Sequence, residues 1–170
     1  WIEKNTLPTL ITQVGNNNTN HLTKTHLLKT EPFVYGGSTS SQTLTTLTFE
    51  HKASIVVLTI PAENPTESST TNSATKVGIS GAWGTNVYSV KLNGVPTTGN
   101  IVAYIAVPAS DGPVEILRAS LTFPSGTCTY EKRNKNGATA IPLGKVVPVV
   151  ITPGTSYNFV EGADTFVPIG

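Results

Sequence analysis

The run LTFEHKASIVVLTI, residues 47–60, divides into two faces when every second residue is taken together. Leu47, Phe49, His51, Ala53, Ile55 and Val57 form one face, and Thr48, Glu50, Lys52 and Ser54 open the other. A period of two belongs to a β-strand with one buried side. That phase places His51 on the core side of the strand. Val56, Leu58 and Ile60 are apolar in the opposite phase, so a bulge or a second buried face is expected near Ile55.

The same period recurs along the chain. Strands are expected at residues 7–14, 21–30, 75–80, 87–92, 100–109, 114–123 and 145–152. In the run VEILRASLTF the set Glu115, Leu117, Ala119, Leu121 and Phe123 is expected to face inward. The pairs Asn93-Gly94, Asp111-Gly112 and Asn136-Gly137 read as turns, the first as a hairpin turn with positive φ at both positions. Residues 15–20 and 36–42 read as loops, and residues 61–73 as a long polar loop with two prolines. No stretch has the period of a long amphipathic helix. Short strands at such intervals predict an all-β sandwich or barrel of about seven or more strands. The whole chain, 1–170, reads as one sandwich domain: a weakly patterned lead at 1–43, the best-patterned core at 44–152 and a tail at 153–170.

Composition narrows the function. Only 12% of residues are charged, and the net charge is +1. Threonine, serine and asparagine supply the polarity instead, which suits the outer faces of pleated strands. A balance of 11 basic and 10 acidic residues leaves no electrostatic footprint for nucleic acid. The one dense basic run, residues 131–137, reads as a solvated hairpin tip. No segment approaches the roughly 20 apolar residues that cross a bilayer as a helix. With no methionine and no apolar leader, the chain is expected to be a processed or trimmed product.

Signatures of catalysis are missing from the pattern. No phosphate-cradling glycine loop, dinucleotide fingerprint or nucleophile elbow occurs; the serine in GISGAWG stands at the wrong spacing for the last. One cysteine, Cys128, permits no internal disulfide and no paired Cys–His zinc pattern. No neighbour in sequence marks Cys128 as a nucleophile. His21 and His26, five apart, would lie on opposite faces of one strand. Glu50 and Glu115 read as solvated strand charges, and Asp111 lies in a turn. No catalytic residue, cofactor or metal is therefore expected, and no hydrolytic activity. Trp83, Tyr88 and Tyr104 are candidates for a sugar-stacking platform, with Trp83 alternatively capping the core. Asn17-Asn18-Thr19 matches the N-glycosylation acceptor pattern.

Three stretches resemble the fimbrillin superfamily. LTFEHKASIVVLTI is similar to a family strand in which apolar-x-Phe-x-His leads into aliphatic residues. AYIAVPA, residues 103–109, is similar to a short apolar strand ending in proline, and IPLGKVVPVVI, residues 141–151, to the closing segment. The resemblance covers about residues 44–151. It implies a transthyretin-like antiparallel β-sandwich and no catalytic residues. It also implies an exported surface lipoprotein of the outer membrane that builds or decorates fimbriae, with other fimbrial subunits or host-surface ligands as partners. The family's lipidated cysteine, processing arginine and second domain have no counterpart in the matched region.

Two structural expectations follow. With no partner at ligand spacing, His51 is expected to be buried and hydrogen-bonded within the sandwich. The closing strand, Lys145, Val146, Val147, Pro148, Val149, Val150 and Ile151, is apolar in both phases. Pro148 cannot donate to a ladder, which places this strand at or beside a sheet edge. The resemblance implies that a neighbour's strand docks there, and the alternative is an ordinary edge that Pro148 guards and that is never used. The function expected is a structural or adhesive surface protein, a fimbrial subunit or accessory. The alternative is a carbohydrate-binding sandwich of an outer-membrane glycan-uptake system, with Trp83 and Tyr88 as its platform. The isolated chain is expected to be monomeric.

Overall fold

A computed structural model of the protein describes residues 11–24, 28–30, 49–65, 72–133 and 138–151. Residues 7–10, His26, the 36–42 connection, residues 44–48, the Asn136-Gly137 turn, Thr152 and the tail lie outside the described residues.

Strand β1 spans Ile11–Val14, and a 3-10 helix follows at Asn20–Lys24. Then come β2 (Leu28–Thr30), β3 (Phe49–His51), β4 (Ser54–Pro61), β5 (Lys76–Ser80) and β6 (Tyr88–Asn93). The last four are β7 (Asn100–Val107), β8 (Ile116–Phe123), β9 (Gly126–Arg133) and β10 (Val146–Val150). One sheet has the order β1-β6-β5-β8-β9, a second β10-β4-β7, and β2-β3 form a small pair. The chain is therefore all-β, with one hydrophobic cluster among the described residues, drawn from the five- and three-stranded sheets and their connections.

The sheets are mixed rather than wholly antiparallel. β1 runs parallel to β6, and β10 parallel to β4. Alternation along a strand decides which face is buried but says nothing about the direction of its neighbour, so the sequence pattern could not distinguish these pairings.

β4 shows how the core forms. Val56, Leu58 and Ile60 are fully buried, while Ile55, Val57 and Thr59 are half-buried on the other face. Full burial of each of these three side chains contributes about 1.5–3 kcal/mol. β7 answers with Ile101, Ala103, Ile105 and Val107, and β8 with Leu117, Ala119, Leu121 and Phe123. The inward set expected for residues 114–123 is found except for Glu115, which precedes the strand and is exposed.

The expected change of face is a break between strands. β3 ends at His51, Lys52 and Ala53 are irregular, and β4 restarts the buried phase at Ser54. His51 is consequently exposed, not buried. It pairs with Leu28 in the small sheet, so the phase it shares with Ile55 never reaches the core.

Of the strand expected at residues 21–30, Leu28–Thr30 forms as β2, while local chemistry turns Asn20–Lys24 into the 3-10 helix. Asn18 Oδ1 accepts from the Asn20 amide at 2.9 Å, and Thr23 Oγ1 donates to the Asn20 carbonyl at 3.0 Å. Such side-chain bonds compete with a strand ladder and start a helical turn. Asn93-Gly94 forms no hairpin: Gly94 has φ 69°, Asn93 is not left-handed, and the chain crosses from β6 in one sheet to β7 in the other. Asp111-Gly112 likewise lies on a crossing, from β7 to β8. The tight hairpin is instead β8–β9, closed over Pro124 and Ser125 with Phe123 opposite Gly126. Proline's fixed φ suits the first corner of such a turn.

Candidate functional site: the sheet edges

A strand at a sheet edge presents backbone groups that invite another strand. The five- and three-stranded sheets have four such edges between them: β1 and β9 in the larger sheet, β7 and β10 in the smaller. They are treated very differently.

The β7 edge is filled by side chains. Gln13, buried to 0% exposure, donates from Nε2 to the Val102 carbonyl at 2.8 Å and accepts the Tyr104 amide on Oε1 at 3.0 Å. Its amide thus takes the place of a neighbouring peptide group. Asn16 Oδ1 accepts the Val102 amide at 2.8 Å, and Asn16 Nδ2 donates to the Asn100 carbonyl at 3.0 Å. The Asn17 amide donates to the Val102 carbonyl at 3.2 Å. His21, 7% exposed, lies 2.8 Å through Nε2 from the Tyr104 carbonyl, which requires the ring nitrogen to be the donor. Asn17 holds φ 53°, a left-handed turn that asparagine tolerates, and its Oδ1 accepts from the Tyr104 hydroxyl at 2.6 Å. One segment therefore pairs with β6 by backbone and with β7 mainly by side chains, joining the two sheets along that side.

The β9 edge carries a charge turned inward. Cys128, Tyr130 and Lys132 occupy its core face. Lys132 is 3% exposed, and its Nζ has no hydrogen-bond partner among the described residues. Burial lowers its pKa, because a desolvated ammonium is disfavoured. Across the outer face, Arg118 and Glu131 pair at 2.7 Å, as do Arg133 and Glu115. Inward charge and outer ion pairs are both known guards of sheet edges.

The β10 edge is anchored firmly but guarded lightly. Ser54 Oγ donates to the Pro142 carbonyl and accepts the Lys145 amide at 3.2 Å, tying the entry of β10 to the start of β4. Gly144, with φ 70°, turns the chain there and leaves little room for a side chain, since an added Cβ would lie 3.2 Å from His51 Cβ, which would have to shift by a few tenths of an ångström. Ile55 N–H donates to the Lys145 carbonyl at 2.9 Å, and Ile151 N–H to the Thr59 carbonyl at 2.8 Å. Those two bonds fix the phase: odd residues bond to β4, and the backbone groups of Val146, Pro148 and Val150 point away from it. Side chains follow the same alternation. Val147 and Val149 are buried, whereas Val146 is 65% and Val150 37% exposed. Pro148 stands where an N–H would have pointed outward, so its presence leaves the pairing with β4 intact.

The proposed aromatic platform does not form. Trp83 is 2% exposed, with Nε1 donating to the carbonyls of Pro108 and Ala109, both at 3.1 Å. Tyr88 meets it edge to face, ring centroids 5.0 Å apart. Trp83 caps the core, the alternative weighed for it, and has no face to offer a sugar. Burial first, and the Asp111 carboxylate second, raise the Tyr88 pKa. Glu115 and Asp111 stand apart, the first in its ion pair and the second beside Gly84 and Tyr88. Cys128 is buried beside Asn64 at 3.8 Å. Among the described residues no cluster of three His, Cys, Asp or Glu side chains could hold a metal ion. No described helix is long and apolar enough to cross a membrane.

Sequence reading singled out β10 but missed the Gln13–Asn16–His21 clamp. Its only signal was a run of amide side chains, which by itself reads as a loop. No family model matches the chain, and comparison with curated proteins and with solved structures yields no match.

Proposed function

We propose that this chain is a structural or adhesive surface module that assembles through strand addition at β10, as a fimbrial subunit or accessory does. One observation carries the reading. β10 has one bonded side and one outward side, and the outward backbone groups of Val146, Pro148 and Val150 meet no described strand. Exposed Val146 and Val150 flank them, and Leu143 beside them is 41% exposed. An apolar edge of this kind is a ready template for β-addition. A transthyretin-like sandwich, export to the cell surface and anchoring at an outer membrane belong to the same reading. They rest on the resemblance of residues 44–151 to fimbrillins.

A photo-crosslinking residue at Val146, in the natural full-length protein in its own cells, tests the proposal. It should give covalent adducts with another subunit. The same residue at exposed Thr98, on the β6–β7 connection, should give none. Equal yields at both positions, or no adduct at Val146, would refute it.

A further inference from the structure

The outer face of the five-stranded sheet carries a like-charge pair at its middle. Lys76 of β5 stands directly opposite Lys91 of β6, and both are exposed. Directly opposed residues of antiparallel strands have Cβ atoms about 4.5–5.5 Å apart, close enough for two ammonium groups to repel. Among the described residues neither has an ion-pair partner, whereas the arginines of this face, Arg118 and Arg133, each hold a glutamate. The register extends the row in both directions. Thr12 of β1 lies beside Lys91, Thr122 of β8 beside Lys76, and Thr127 of β9 beside Thr122. The Thr122 and Thr127 hydroxyls meet at 3.1 Å, which puts both side chains on the outer face. Five strands at about 4.8 Å spacing make this a line roughly 19 Å long, running across the sheet.

We propose that this line binds an anionic polysaccharide, a chain bearing sulfate or carboxylate groups. The two ammonium groups supply the charge complementarity, and a bound anion removes their mutual repulsion. The threonine hydroxyls offer the paired donors and acceptors that sugar hydroxyls match. A polynucleotide fits less well. The chain carries a net charge of only +1, and Tyr88 of β6 and Trp83 of the β5–β6 connection pack against one another in place of presenting a base-stacking surface. The site lies on a face, not an edge, so it stands or falls separately from strand addition at β10.

Titration of the whole chain with chondroitin sulfate, dextran and a single-stranded oligonucleotide provides the test. Chondroitin sulfate should bind, dextran should not, and the oligonucleotide should bind more weakly than the sulfated glycan. Lys76→Gln with Lys91→Gln should weaken chondroitin sulfate binding by about three- to tenfold, the range expected of two exposed charge contacts, and flatten its salt dependence. Lys76→Arg with Lys91→Arg should keep both. Unfolding midpoints at or above the parent's would show that each variant is folded. Absent binding by the parent chain, undiminished binding by the glutamine pair, or equal or stronger binding of the oligonucleotide would each overturn the proposal.

Discussion

Single residues that replace a backbone partner hold this fold together out of proportion to their size. Gln13 is the clearest case. Gln13→Leu preserves bulk but strands the Tyr104 amide and weakens the pairing of the Val102 carbonyl. An unsatisfied buried group costs about 1–3 kcal/mol, so the chemical unfolding midpoint should fall by that equivalent. Gly144→Ala should cost about 1–2 kcal/mol, because it forces a side chain into the left-handed region at φ 70° and against His51. The Lys76–Lys91 pair acts in the other direction. Lys91→Glu turns a repulsive cross-strand pair into an attractive one, and should stabilise the chain by about 0.2–1 kcal/mol at low salt, with the gain fading as salt is raised.

At the scale of elements, the edge strands differ in how strongly they resist pairing. β9 resists through Lys132. With its folded pKa lowered by burial, the folded state sheds a proton at lower pH than the unfolded chain. The unfolded state then binds more protons between that lowered value and the ordinary 10.5, and stability must rise with pH across the window. Lys132→Met should abolish that rise and stabilise the monomer at neutral pH. It should also remove an edge guard, so light scattering should report more self-association. The alternation of β8 was plain in the sequence because that strand has one buried face throughout, whereas β7, apolar in both phases, read as a strand without showing which face is buried. The phase of β4 was harder to read. Phe49 and His51 continue a period through Lys52 and Ala53 into Ile55, and only the pairing of β3 with β2 reveals the break. Asn93-Gly94 misled for a related reason. The dipeptide signals a turn, but whether the next strand joins the same sheet depends on partners far away in sequence.

For the whole molecule, the opposite ends of the strand orders have opposite characters. At the β1 end of the larger sheet and the β7 end of the smaller, the 13–21 segment stitches β6 to β7 so completely that β7 has few outward groups left to give. The other two ends are β9 and β10, one guarded by charge and the other by a single proline. The all-β class and the edge location favoured by Pro148 could be argued from residues alone, since both depend on short-range pattern. The clamp, the parallel pairings and the lysine line could not, because each depends on the register between strands distant in the chain.

Amide hydrogen exchange along β10, in the isolated chain and in the assembled surface structure, tests the central claim most directly. In the isolated chain the Val147 and Val149 amides, which face β4, should be protected, and those of Val146 and Val150 should exchange freely. On assembly, Val146 and Val150 should become protected as a neighbour's strand takes up their outward groups. Outward amides that still exchange freely in the assembled state, or that are already protected in the isolated chain, would contradict the account.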